Sequence, residues 1–131
     1  MADLEDVQRL VNALPGVAEG ERRDHRSWLV GGKVFAWERP FSKADLKRYA
    51  SAPVPEGPIV ALVTDGLEDK EALLQAHPTF LFTISHFDNY AAVLLQLEYA
   101  DEAQLRRALE DAWLVSAPAD LAERFLAERE E

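Results

Sequence analysis

Gly31 and Gly32 stand between two strand-like runs, and this pair constrains the fold more than any other feature of the chain. Residues 23–30 approach alternation, with Trp28 and Val30 as the inward side, and Lys33 to Glu38 resume the pattern. A two-residue hairpin turn needs positive φ at both central positions, which glycine supplies without steric cost. The spacing therefore predicts an antiparallel ribbon over 23–38, ended by Pro40. Whatever fold the chain adopts must accommodate that ribbon.

The remaining elements follow from periodicity and punctuation. Leu4, Val7, Leu10, Val11 and Leu14 recur at helical spacing, predicting an amphipathic helix over 3–14 that ends at Pro15-Gly16. Ser42 can cap a short helix to Ala50, with Asp45 three residues on. Pro53, Pro55, Gly57 and Pro58 read as a loop. Ile59 to Thr64 is a continuous apolar run, hence a buried strand, and a helix over 67–76 follows. Residues 80–84 and 91–97 read as strands joined by a loop, and 101–114 as a helix with Asp101 and Gln104 as a capping pair. A last helix runs from Pro118 to about Arg129. With two hairpin-type connections and no regular βαβ alternation, the order predicts an α+β fold. It is a two-layer domain, an antiparallel five-stranded sheet with helices packed on one face.

Composition narrows the function classes. A chain of 131 residues is a single domain, since neither half would hold a comfortable core. It contains no cysteine, which excludes disulfides, thiolate catalysis and cysteine-based metal sites. The formal net charge is −10, and such a far field repels phosphate, so a general nucleic-acid coat is excluded. The N-terminus is acidic where a signal peptide needs a basic start, and the longest apolar stretch is far short of a membrane span. A cytoplasmic protein is the expectation.

Several segments together resemble a known family. They are Leu14-Pro15-Gly16-Val17 with Glu19-Gly20, then His25 and Trp28, and Gly31 to Ala36. Asp69 to Leu74, His86-Phe87-Asp88 with Tyr90, and Asp111-Ala112-Trp113 complete the pattern. In this order and spacing, over nearly the whole chain, they resemble the MmcQ/YjbR-like family of small bacterial proteins. The chain departs from the family pattern at Ser85, Asn89 and Ala91, where Pro, Gly and Pro are expected. Asn tolerates positive φ nearly as glycine does, so the turn at Asn89 can survive. The resemblance implies a two-layer fold similar to type III secretion chaperones and frataxin-like proteins. For function it implies DNA binding through a double-wing arrangement of hairpins, with no settled reaction.

Charge segregation is the strongest local signal. Residues 22–48 hold eight basic residues, Arg22, Arg23, Arg26, Lys33, Arg39, Lys43, Lys47 and Arg48. Against Asp24, Glu38 and Asp45 these leave a net charge of +5, while the rest of the chain carries −15. As a basic ribbon the segment could lie along a phosphate backbone, with Trp28, Phe35 and Trp37 stacking on bases. As a structural hairpin its arginines would pair within the domain and its aromatics would be core. The distant acidic charge is partly screened, because the Debye length is roughly 8 Å at physiological salt.

A second set is the loop from His86 to Tyr90, which places an imidazole, a carboxylate, an amide and a phenol within five residues. With His25 and Trp28 joining His86, Asp88 and Tyr90, it could bind a small ligand, or the loop 85–91 could serve a protein partner. Equally, Asp88-Asn89 could be a plain turn with Phe87 in the core. His25, His86 and Asp88 would make a metal site only if all three converged, and no close His pair exists, so no metal and no cofactor are expected. No serine lies in a Gly-x-Ser-x-Gly context, and Gly16 to Gly20 lacks the Lys of a phosphate loop. An enzyme is therefore unmotivated. The reading is a non-enzymatic protein binding DNA weakly through residues 22–48, with a ligand or protein module at 85–91 as the alternative. Exposure of Trp113 or Phe125 on the last two helices would instead mark a partner or self-association surface.

Overall fold

A computed structural model of the chain describes residues 2–49, 54–55 and 57–130, and for Arg22 and Glu130 the backbone alone. Ala50 and Pro53 lie outside the described residues. Helix α1 spans Leu4–Asn12 and opens with a reciprocal cap: Asp6 N–H donates to the Asp3 carboxylate and Asp3 N–H to that of Asp6. Strands β1 (Val17–Arg22), β2 (His25–Val30) and β3 (Lys33–Glu38) follow, then α2 (Lys43–Tyr49), β4 (Ile59–Val63) and α3 (Gly66–Ala76). Strand β5 (Leu81–Phe82), a 3-10 turn at Ser85–Phe87, β6 (Ala92–Gln96), a second 3-10 turn at Leu97–Tyr99, α4 (Glu102–Ser116) and α5 (Ala119–Glu130) complete the chain.

The strands form one antiparallel sheet in the order β1-β2-β3-β4-β6-β5. The α+β class is as expected, but the sheet has six strands rather than five. The extra one is β1, an edge strand whose single large apolar residue is Val17. It is joined to β2 by a two-residue turn at Arg23 and Asp24, with φ of 51° and 67°. Gly31 and Gly32 make the predicted turn, with φ of 58° and 79°. Both turns have positive φ at both central positions, matching the right-handed twist of the strands they join.

The central strands β4 and β6 are buried on both faces, and α2 packs on the second one, so the single helical layer of the sequence reading is corrected as well. Val60 and Leu62 of β4 and Val93 and Leu95 of β6 face α1 and α4, in a cluster with Trp28, Phe35 and Trp113. Their alternates Ile59, Ala61, Ala92 and Leu94 face the other way, under Phe41, Tyr49, Phe82 and Phe87. This second layer is built mainly by α2 and the loop before β6. Trp113 is fully buried with Phe125 packed 5.0 Å away, and its indole donates to Pro15 O at 3.0 Å.

A bulge in β3 decides which aromatic goes where. Trp28 pairs with Ala36 and Leu29 with Val34, leaving Phe35 as the extra residue. A bulge turns two successive side chains to one side. Phe35 and Ala36 both join the α4 face, and Trp37 is shifted to the other.

Candidate functional site

The Arg23–Asp24 turn, the exit of β3, α2 and the loop before β6 meet around a cleft of about 360 Å³. Each contributes for a local reason. Ser42 and Asp45 cap α2 reciprocally, as predicted: Asp45 N–H donates to Ser42 Oγ at 3.2 Å and Ser42 N–H to Asp45 Oδ2 at 2.9 Å. The cap buries the Asp45 carboxylate to 2% exposure, where Arg39 donates to it at 2.9 Å. Arg48 reaches its second oxygen at 3.5 Å, a long contact from a half-exposed side chain. Burial works to raise the Asp45 pKa, but the Ser42 and Arg39 hydrogen bonds outweigh it and hold the carboxyl below its ordinary value.

The opposite wall is the 3-10 turn. Phe87 N–H donates to Ile84 O, Asp88 N–H to Ser85 O and Tyr90 N–H to Phe87 O. Asn89 takes φ of 61°, the conformation anticipated for it. The buried ammonium of Lys70 on α3 closes the loop from behind, donating to Phe87 O at 2.6 Å and Tyr90 O at 2.8 Å. Burial pulls the Lys70 pKa down, against the neighbouring Asp88 carboxylate, which raises it. The floor is aromatic: Trp37, Phe87 and Tyr90 lie with ring centroids 5.3 to 6.5 Å apart, and the Arg39 guanidinium sits 5.6 Å from the Phe87 centroid.

The structure divides the residues singled out in the sequence. Arg23, Arg39 and Arg48 line the cleft together with His25, His86 and Tyr90. Lys43 and Lys47 are exposed on the adjoining α2. Arg26 is held by Glu38, to which it donates at 2.8 Å. Lys33 lies at the far end of β2 and β3, roughly 17 Å away at about 3.3 Å per residue. The side chain of Arg22 lies outside the described ones. Trp28 does not reach the cleft: strand alternation turns it to the α1 side, where it is fully buried and donates to Gln8 Oε1. Asp88 is exposed, outside the lining. Phe35 is core.

Trp37, one of the three aromatics considered for base stacking, also lines the cleft, together with Glu38, Ser42, Asp45 and Phe87, none of which sequence reasoning assigned to a site. Only the Ser42–Asp45 cap left a legible signal. Among the described residues, no group of three or more His, Asp or Glu is placed to hold a metal ion, and no helix is long and apolar enough to cross a membrane.

An antiparallel sheet packed between helices and loops, with a cleft lined by three arginines at one end of its ribbon, defines a small α+β fold. The chain belongs to the YjbR family, whose pattern matches residues 12–115. It is 42% identical over 130 residues to uncharacterized protein Rv2570 of Mycobacterium tuberculosis, covering 97% of this chain and 98% of that one. Uncharacterized protein Mb2600 of Mycobacterium bovis is similar to the same extent. The crystal structure of Deinococcus radiodurans protein DR2400, a DUF419 domain, shares the fold with a TM-score of 0.63. That likeness is at 20% identity and covers 88% of this chain and 78% of that one.

Proposed function

We propose that this YjbR-family protein is a non-enzymatic binding module whose cleft takes a phosphate carried beside a flat ring. One observation supports the reading above the rest. Arg23, Arg39 and Arg48 converge with His25 and His86 over a floor of Trp37, Phe87 and Tyr90. Guanidinium and imidazole donors suit phosphate oxygens, and aromatic faces suit a base. Arg23 has no ion-pair partner among the described residues, and the 3.5 Å contact of Arg48 is easily given up.

Two bearers share that chemistry. DNA is the one that the basic ribbon predicts, with Lys43 and Lys47 extending the cationic surface beside the cleft. A free nucleotide is favoured by concavity, since about 360 Å³ lies in the roughly 300–1,000 Å³ range of small-molecule sites. The test is titration of a labelled duplex, a labelled single strand and a fluorescent nucleotide at about 50 and 200 mM salt, since phosphate contacts weaken steeply between them. Saturable binding that falls with salt and is lost in Arg23→Glu/Arg48→Glu is expected. Preference for the strands assigns DNA, and preference for the nucleotide assigns the small ligand. Absence of binding by all three at the lower salt would overturn the reading.

A further inference from the structure

A second concavity lies on the other face of the sheet, between α3 and α4, with a volume of about 270 Å³. Its walls are apolar: Leu62 and Val93 from the sheet, Leu73 from α3, and Ala108, Ala112 and Val115 from α4. The gap exists because α4 presents alanines here, at Ala108 and Ala112, where larger side chains would close onto α3. It leaves Val115 with 40% of its surface exposed, although Val115 borders an apolar hollow.

The mouth is polar and acidic. Asp69, Asp111, Arg107 and His77 border it. Asp69 accepts the Asp65 N–H at 2.9 Å through Oδ2 alone. Arg107 reaches Asp111 only through long contacts of 3.3 and 3.4 Å, from a side chain 66% exposed, so a ligand cation can displace it at little cost. Two carboxylates against one guanidinium leave the mouth negative, and the net charge of −10 adds a field that favours cations and repels anions.

We infer that this pocket binds a small apolar molecule bearing a single amine, with the apolar body between α3 and α4 and the ammonium between Asp69 and Asp111. The site is separate from the phosphate cleft and does not depend on that reading. An anionic amphiphile of the same shape meets the wrong charge at the mouth, and a neutral one leaves the carboxylates unused.

The probes are phenethylamine, phenethyl alcohol and phenylacetate, which share one apolar body and differ in charge. Backbone amide shifts of the full chain are followed by NMR during each titration. Phenethylamine is expected to shift Leu73, Ala108 and Val115 saturably, with the alcohol and the carboxylate at least about tenfold weaker, one opposite charge being worth about that much at a half-exposed site. Ala108→Leu, a good helix former that fills the gap, should abolish binding without lowering the melting temperature. Asp111→Asn, a surface change, should remove the preference for the amine while leaving the alcohol unaffected. Phenylacetate binding as tightly as the amine would overturn the proposal. So would binding that survives Ala108→Leu, amine preference that survives Asp111→Asn, or no saturable shift at these residues.

Discussion

Asp45 shows how much one side chain can organise. Its carboxylate caps α2 and anchors Arg39 beside the Phe87 ring, with Arg48 at a looser 3.5 Å. Replacing it with Asn keeps the volume but leaves Arg39 beside a neutral amide. Full loss of a buried partner costs about 3–5 kcal/mol, but both arginines retain some solvent, so about 1–2 kcal/mol is expected. The same group sets an acid limb. Its pKa is lower folded than the ordinary 3.8, so the unfolded chain takes the proton first. The stability it supplies is complete above pH 3.8 and is lost as the pH falls through the lowered native value. Urea melts of wild type and Asp45→Asn should therefore differ at pH 6 and converge in strong acid. A constant gap across that range would mean the carboxylate charge is not what matters. Lys70 plays the matching part on the other wall. Lys70→Met strips the donor from two carbonyls, one of them buried against the ammonium, for a cost of about 1–3 kcal/mol. Its signature is local: amide exchange at Phe87 and Tyr90 should accelerate more than in β4. Uniform acceleration would make Lys70 a general core residue rather than the strut of this loop.

Between residues and fold stand the two tight turns of the ribbon, one on glycines and one not. Arg23 at φ of 51° pays for a conformation that costs an L-residue roughly 1–2 kcal/mol. Arg23→Gly relieves that strain but adds unfolded-state entropy of about 0.5–1 kcal/mol. A net gain of up to about 1 kcal/mol is expected, together with weaker phosphate binding, because a cleft cation is gone. A variant that is more stable and binds less well would show strain retained at a working position; unchanged binding would remove Arg23 from the site. The contrast between the turns also explains what could be read from the sequence. The glycine turn announces β2 and β3, and their bounds were legible to within two residues. The capping pairs Ser42–Asp45 and Asp101–Gln104 were legible because reciprocal caps have fixed spacing. Strand β1 was not, since an edge strand with one large apolar residue shows no alternation and its turn carries no glycine. The bulge at Phe35 was equally silent, yet it alone sends Trp37 to the cleft face and separates it from Trp28. Half of the cleft was visible as charge and as the His86 loop. The other half depends on that bulge and on a pairing of Arg39 with Asp45 that competes with every other acid in the chain.

At the scale of the whole molecule, the puzzle is a net charge of −10 on a protein read as binding phosphate. The fold resolves part of it by distance. The cleft lies at the end of the ribbon on the face covered by Phe41, Tyr49 and Phe87, whereas α1, α4 and α5, with some of the acids, belong to the opposite face. A sheet and a helix layer put roughly 10 Å each between the two. Screening acts over about 8 Å at physiological salt and about 30 Å at 0.01 M. Exposed acids on α5 should then oppose phosphate binding only when salt is low. Glu123→Gln/Glu128→Gln is expected to tighten binding measurably near 0.01 M and to leave it unchanged near 0.15 M, whereas Arg23→Glu/Arg48→Glu should weaken it at both. Fluorescence anisotropy with one labelled ligand at the two salts separates these cases. If neutralising the far acids helped equally at both, the ligand would have to contact that face directly, and the site would not be the cleft. If the arginine reversals faded at 0.15 M as the far acids do, the attraction would be a field effect, with no contact at the cleft to hold a phosphate in place.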